Sequence, residues 1–338
     1  MSYQIPEARI PAIRAATDAL EGAREVILTT HINADGDGVG SQVALLSFLL
    51  ERGVEAWIVN PTPFPEFLRF LVPDFSKVLD ATGEVARLRC GAADLCIVVD
   101  TGEKSRIARV HPLVRHVPKL VIDHHPVAED AIEGISFRDP GAAAAGELVF
   151  DVLWNAEGPW TRSAVDGLYV ALMTDTGSFR FSNVTPGVHR VVAELLERGA
   201  SPESLHREIY GRVPLRRIRL LQEVLPSVDV SSDGRVAWIS VQEQTLRDLQ
   251  CTSEDLEGLV DYPRELEGAE VGILFRELAE GQVKISLRSN GPVDVNRLAR
   301  SFGGGGHVRA AGALLSGSLD EVRERVVSRT VAAVTEEA

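Results

Sequence analysis

With 338 residues, 45% apolar and 25% charged, the chain has the composition of an ordinary globular protein and the length for two domains, each with its own core. Its 35 Lys and Arg against 49 Asp and Glu leave a net charge of −14, which excludes a general electrostatic footprint on long nucleic acid, so an anionic substrate has to be small or drawn to a local positive site. Cys90, Cys96 and Cys251 form neither an even disulfide framework nor a Cys-x-x-Cys, no basic-then-apolar leader opens the chain, and no run approaches the roughly 18 apolar residues of a membrane span; the expected setting is the reducing cytoplasm, away from membranes.

In chain order, the segment up to about Gly22 alternates Ala and Leu with charges and reads as a helix. Glu25–Thr30 is a β-rich run that ends abruptly at His31. After a polar loop, Val39–Arg52 carries apolar residues at helical spacing, and Gly53 is its natural stop. Strands are expected at Val54–Asn60, Asp94–Asp100 and Lys119–Asp123, and a helix from Thr161 to Leu172 leading into Asp175. This alternation predicts an α/β fold with a mostly parallel sheet flanked by helices, whose active site lies at the carboxyl ends of the strands. Three of the strands end in His31, Asp100 and Asp123–His125.

A largely helical, Arg-bearing stretch at 188–225 (Arg207, Arg212, Arg216, Arg217, Arg219) reads as a helical linker with a solvated face. From Pro226 the pattern changes. A strand-turn-strand about Asp233-Gly234 is followed by strands at Ala269–Leu278 and Gln282–Ser289, a helix at Val295–Ser301, the run Gly303–Gly306 and a terminal helix from about Leu319. That composes a second, smaller α/β domain.

Four constellations carry the chemistry. His31, Asp35 and Asp37 lie within seven residues at the mouth of a strand, and hard divalent ions take such oxygen and imidazole ligands. The competing reading is a polar turn with an acidic helix start. The spacing Gly36-x-Gly38-x-Gly40 is not that of a dinucleotide loop, and its aspartates would repel a pyrophosphate. Asp100 ends the apolar run LCIVV and could bridge two metals or cap a turn. Asp123-His124-His125 could supply one metal ligand, one phosphate contact and a carboxylate that orients a ring. Asp175 sits at a helix end, with an N-cap as the alternative. Together His31, Asp35, Asp37, Asp100, His124 and Asp175 form the ligand composition of a two-metal site.

The ordered set His-x-x-x-Asp-x-Asp, Asp, Asp-His-His, Asp resembles the DHH phosphoesterase superfamily. Lys284–Ser289, Asp294-Val295-Asn296 and Gly303–His307 resemble its DHHA1 substrate-binding domain. The two-domain layout is similar to the bacterial bifunctional oligoribonucleases and pAp phosphatases. The resemblance implies a DHH catalytic domain at 1–187, the linker at 188–225 and a DHHA1 domain at 226–338. It implies that His31 and Asp35 hold one metal and Asp37 and His124 the other. Asp100 would bridge the two ions and act in catalysis, and Asp175 would complete the site. His125 would contact the scissile phosphate, and Arg288, Gly304, Gly305, Gly306 and His307 would bind substrate. The implied cofactors are two divalent ions, Mn²⁺ first and Mg²⁺ or Co²⁺ as substitutes. The implied substrates are short RNA or pAp, with cyclic or linear dinucleotides as the alternative and a non-catalytic nucleotide sensor as the rival of another class. Ala142–Ala145 stands where relatives often carry Ser or Thr, which bears on substrate preference. A homodimer stays open.

Overall fold

Short runs of aliphatic and β-branched residues build a parallel sheet in the first part of the chain, and their apolar side chains point to both faces. The computed structural model describes residues 3–336, and contacts divide the chain into two units, Met1–Arg212 and Val213–Ala338. The first unit runs α1 (Ile10–Glu21), β1 (Glu25–Thr29), α2 (Gly36–Glu51), β2 (Glu55–Asn60), β3 (Val78–Asp80), α3 (Glu84–Ala92), β4 (Leu95–Val99), β5 (Lys119–Asp123), β6 (Ile135–Arg138), α4 (Ala145–Asn155), α5 (Arg162–Asp175), α6 (Pro186–Glu197) and α7 (Pro202–Tyr210). Its strands pair in the order β3-β2-β1-β4-β5-β6, parallel throughout. The chain therefore leaves β1 toward one edge and returns at β4 toward the other. This reversal opens a crevice at the carboxyl ends of β1 and β4, where ligands of doubly wound sheets bind.

Val26, Leu28, Ile97, Val99, Leu120 and Ile122 face a core shared with α1, α2, α4, α5 and α6. Ile27, Cys96, Val98 and Val121 face the opposite layer with Trp57, Cys90, Val110 and Val114. Burial on both faces explains why LCIVV is apolar without alternation. Two glycines set the closest helix crossing: a Cβ on Gly40 would lie 2.2 Å from the Gly167 carbonyl, and one on Gly36 would lie 2.4 Å from Thr174 Oγ1. The start of α2 is thereby pressed against the end of α5. The helix expected to stop at Leu172 continues to Asp175. Strands β3 and β6, with three and four residues, are too short to leave a periodic signal.

The second unit holds α8 (Leu215–Val224), β7 (Asp229–Val230), β8 (Val236–Val241), α9 (Glu243–Asp248), α10 (Asp261–Arg264), β9 (Val271–Leu278), β10 (Gln282–Ser289), α11 (Val295–Arg300), β11 (Gly305–His307), β12 (Ala310–Ser316) and α12 (Leu319–Glu336). Its mixed sheet has the order β11-β12-β10-β9-β8-β7. Alternation along β9 and β10 sends Ile273, Phe275, Ile285 and Leu287 toward α11 and α12, while Leu274 joins Ile239, Leu220 and Val224 on the other face. The stretch read as a linker is shared out. Val188, Val191, Leu195 and Leu205 of α6 and α7 lie in the first unit's core, whereas α8 belongs to the second. Among the described residues no helix is long and apolar enough to cross a membrane.

Candidate metal centre

Each carboxyl-end residue of the crevice is placed by its own strand or helix end. His31 follows β1 and is 5% exposed. Its Nδ1 lies 2.9 Å from the Ile32 carbonyl, to which it donates, and this turns Nε2 toward Asp100 Oδ2 at 3.1 Å and Asp35 Oδ2 at 3.7 Å. Asp35 divides its two oxygens. Its Oδ1 caps α2 by accepting from the Asp37 and Gly38 amides, both at 3.1 Å, while Oδ2 faces His31.

Asp37, in the first turn of α2, is buried. Its Oδ2 accepts from the Ala145 amide at 2.6 Å and its Oδ1 from the Gly146 amide at 2.8 Å. These donors open α4, so the carboxylate lies at a helix N-terminus, where a negative charge is favoured. Asp175 is the last residue of α5. Thr174 Oγ1 turns back to the Val170 carbonyl at 2.9 Å, so neither residue is an N-cap.

Asp100 follows β4 in the left-handed region, φ +58°, where Asp is better tolerated than most residues. Its two oxygens divide the site: Oδ2 faces His31, and Oδ1 lies 3.3 Å from His124 Nε2. His124 Nε2 is also 3.5 Å from Asp175 Oδ2 and 3.8 Å from Asp37 Oδ2, and its Nδ1 is 3.4 Å from the Ala142 carbonyl. His125 turns its Nδ1 to Asp123 Oδ1 at 2.8 Å.

The six residues singled out as ligands thus converge. His31, Asp35 and Asp100 form one set of donor atoms lying within 4.8 Å of one another, and Asp37, His124 and Asp175 form another. Their electrostatics are strained in the way a divalent cation relieves. Burial, with Asp100 and Asp175 alongside, pushes Asp37 well above the ordinary carboxylate range. Burial also lifts Asp175 to about 7. Burial opposes the charge on Asp100 too, yet His124 and His31 outweigh it and hold that carboxylate below its usual value. Burial opposes protonation of the two imidazoles, but Asp100, assisted by Asp35 at His31 and by Asp37 at His124, raises both to about 10. Oxygen and imidazole donors without thiolate suit Mg²⁺, Mn²⁺ or Co²⁺.

Sequence reasoning missed the supports. Arg138 on β6 lies 3.3 Å from Asp123 Oδ2, behind the His125 contact. Gly102 leaves it room, since a Cβ there would sit 1.7 Å from the guanidinium. Ala142–Ala145, noted in the sequence for their missing hydroxyls, are buried and serve through backbone groups, a role that no side-chain pattern marks.

In the second unit, Arg288 and His307 each pair in register with Ala310, from the two strands flanking β12. Two strand spacings separate them, about 10 Å. Burial lowers the pKa of the Arg288 guanidinium from its ordinary value. The glycine run, expected as a loop, instead enters β11. A Cβ on Gly304 would lie 2.1 Å from the Gly312 carbonyl, and one on Gly306, at φ +149°, would lie 2.5 Å from that of Ala310. These two glycines are required by close backbone packing, which excludes a flexible hinge there.

Of the remaining basic residues, Arg212, just beyond α7, pairs with Glu208, and Arg216 of α8 pairs with Asp255.

Known proteins are similar to this chain. The family model described as DHH family, N-terminal domain, matches residues 25–172, and that of the DHHA1 domain matches 236–333. The bifunctional oligoribonuclease and PAP phosphatase NrnA of Thermus thermophilus is 36% identical over 91% of this chain and 89% of its own. Its namesake from Bacillus subtilis is 30% identical over 85% and 88%. The crystal structure of an exopolyphosphatase-related protein from Bacteroides fragilis superposes with a TM-score of 0.88 at 28% identity, covering 97% of this chain and 98% of that one.

Proposed function

The chain belongs to the DHH phosphoesterase family and carries a DHHA1 domain, and from that premise we propose that it hydrolyses short oligoribonucleotides to mononucleotides and pAp to AMP and phosphate. It is a metal-dependent phosphoesterase. The observation that carries the reading is the division of Asp100, whose two oxygens face separate donor sets. In this proposal His31, Asp35 and Asp100 hold one divalent ion, and Asp37, Asp100, His124 and Asp175 hold a second. Mn²⁺ is the first choice, with Mg²⁺ or Co²⁺ able to substitute. When bound, such a pair supplies Lewis acidity and lowers the pKa of water at the crevice.

The chain's own groups do the rest. Asp123 orients the His125 ring, which meets the scissile phosphoryl group. In the second unit, Arg288, Gly304, Gly305, Gly306 and His307 are the proposed substrate-binding residues, with the small side chain of Ala310 between Arg288 and His307. The names of the Thermus and Bacillus relatives support oligoribonuclease and PAP phosphatase activity. Six intact ligands argue against a sensor that has lost catalysis. The three free thiols suit the cytoplasm.

The test measures phosphate and mononucleotide release with Mn²⁺ from pAp, a 5′-phosphorylated RNA dimer, cyclic di-adenylate and pyrophosphate. Turnover of pAp and the dimer is expected, falling by about 10³-fold or more in Asp100→Ala. Preferential turnover of cyclic di-adenylate would replace the substrate assignment. No turnover of any of the four with metal bound would make the protein a sensor.

A further inference from the structure

Arg9, in the turn preceding α1, is 6% exposed and lies among three carboxylates. Its Nε donates to Asp139 Oδ2 at 2.7 Å, and its Nη1 donates to Glu147 Oε1 at 2.8 Å and to Asp151 Oδ2 at 2.9 Å. Asp139 directly follows β6 and Glu147 lies in the first turn of α4, and each uses its other oxygen to hold the backbone between them. Asp139 Oδ1 accepts from the Gly141 amide at 2.8 Å, and Glu147 Oε2 accepts from the Ala143 amide at 2.9 Å. The same segment supplies the Ala142 carbonyl that faces His124 and, at the start of α4, the Ala145 and Gly146 amides that hold Asp37. Ile13, Ala16 and Leu20 bury α1 in the core, so the guanidinium is tied to a helix packed in the core of the unit.

We propose that Arg9 is a positioning residue for the donor set Asp37, His124 and Asp175, acting by clamping the segment from Asp139 to the first turn of α4. This rests on the metal reading above and adds an asymmetry to it. The other donor set takes its order elsewhere: His31 from the Ile32 carbonyl, and Asp35 from the start of α2. Loosening the clamp therefore weakens one ion and spares the other. A planar fork suits three acceptors in a way that an ammonium does not, so Lys at this position replaces the charge but only part of the geometry. Asp151 supplies a built-in control. It is fully buried and bonds to Arg9 and to the Tyr3 hydroxyl, but these bonds do not involve the 139–146 backbone.

The experiment titrates metal-stripped, full-length protein with Mn²⁺ by calorimetry and follows thermal unfolding in EDTA. The variants are Arg9→Met, Arg9→Lys, Asp139→Ala and Asp151→Asn. The intact protein is expected to take up two Mn²⁺. Arg9→Met and Asp139→Ala weaken one of them by about 10–100-fold, the range for removing a group that orients a ligand, and leave the other unchanged. Arg9→Lys falls between. Asp151→Asn lowers the melting temperature in EDTA with both Mn²⁺ affinities intact. Asp139 is one-third exposed, so its variant keeps the test decisive should Arg9→Met fail to fold. Two unweakened ions in Asp139→Ala and in Arg9→Lys, or equal weakening in Asp151→Asn, would overturn the clamp alone. An intact protein that binds no pair of ions would overturn the metal reading and the clamp with it.

Discussion

Asp100, His31 and His124 lock one another's charge in the metal-free protein, and the consequences can be measured. Both imidazoles, raised from 6.5 to about 10, are protonated at pH 8, whereas a metal ligand must be neutral. Mn²⁺ uptake at pH 8 should release protons, seen as a dependence of the calorimetric enthalpy on the buffer's ionisation heat. No dependence would mean that the imidazoles are already neutral. The same shifts set a sign for stability. Between pH 3.8 and about 7 the folded state keeps a proton on Asp175 that the unfolded state loses, and between 6.5 and about 10 it keeps those of His31 and His124. Stability falls with rising pH wherever the folded state binds more protons. The metal-free protein should therefore melt lower at pH 9 than at pH 6, and added Mn²⁺ should reduce that difference. Asp123→Asn leaves the six ligands in place but weakens the hold on His125; kcat should fall about 10-fold or more with Mn²⁺ affinity unchanged. The ligand types and their order were legible in the sequence because metals demand particular atoms. Arg138, Gly102 and the Ala142–Ala145 backbone were not, since their partners lie far along the chain or involve no side chain.

Between elements, the decisive contact is that of α2 with α5. The glycine spacing that might have suggested a phosphate loop serves this crossing, with Gly40 and Gly167 each against the other's carbonyl. Closeness there brings Asp37, at the start of one helix, beside Asp175, at the end of the other. Gly40→Ala should cost about 1–3 kcal/mol by overpacking, read as a lower melting temperature in EDTA. Because the helices must part, it should also weaken Mn²⁺ binding. A stability loss with unchanged metal affinity would show that the crossing does not govern the ligand geometry. Strand and helix boundaries such as Lys119–Asp123 and Gln282–Ser289 were readable from β-branched runs and their polar stops. By contrast β3, β6 and β11, with three, four and three residues, owe their form to pairing with neighbours and carry no pattern of their own.

For the whole molecule, a net charge of −14 confines attraction for a polyanion to a local site. KM for a 5′-phosphorylated RNA dimer should rise by less than about 10-fold between 50 and 200 mM salt, against the roughly 10³–10⁵-fold loss in affinity of proteins that neutralise many phosphates. A steep dependence would reveal a longer phosphate track and sink the short-substrate reading. The sequence by itself determined the fold class, the six candidate ligands and the family resemblance. These depend on local apolar runs, strand-end positions and atom types, all of which are linear properties of a chain. Only the tertiary structure decided that the strand order reverses between β1 and β4, which brings His31 and Asp100 to one crevice. It alone showed Asp100 facing two donor sets, Arg9 gripping a distant loop and the helix start that follows it, and the glycine run lying closed against β12. Each of these depends on atoms that meet across the fold, and the spacing of residues along a chain does not specify which distant segments will touch.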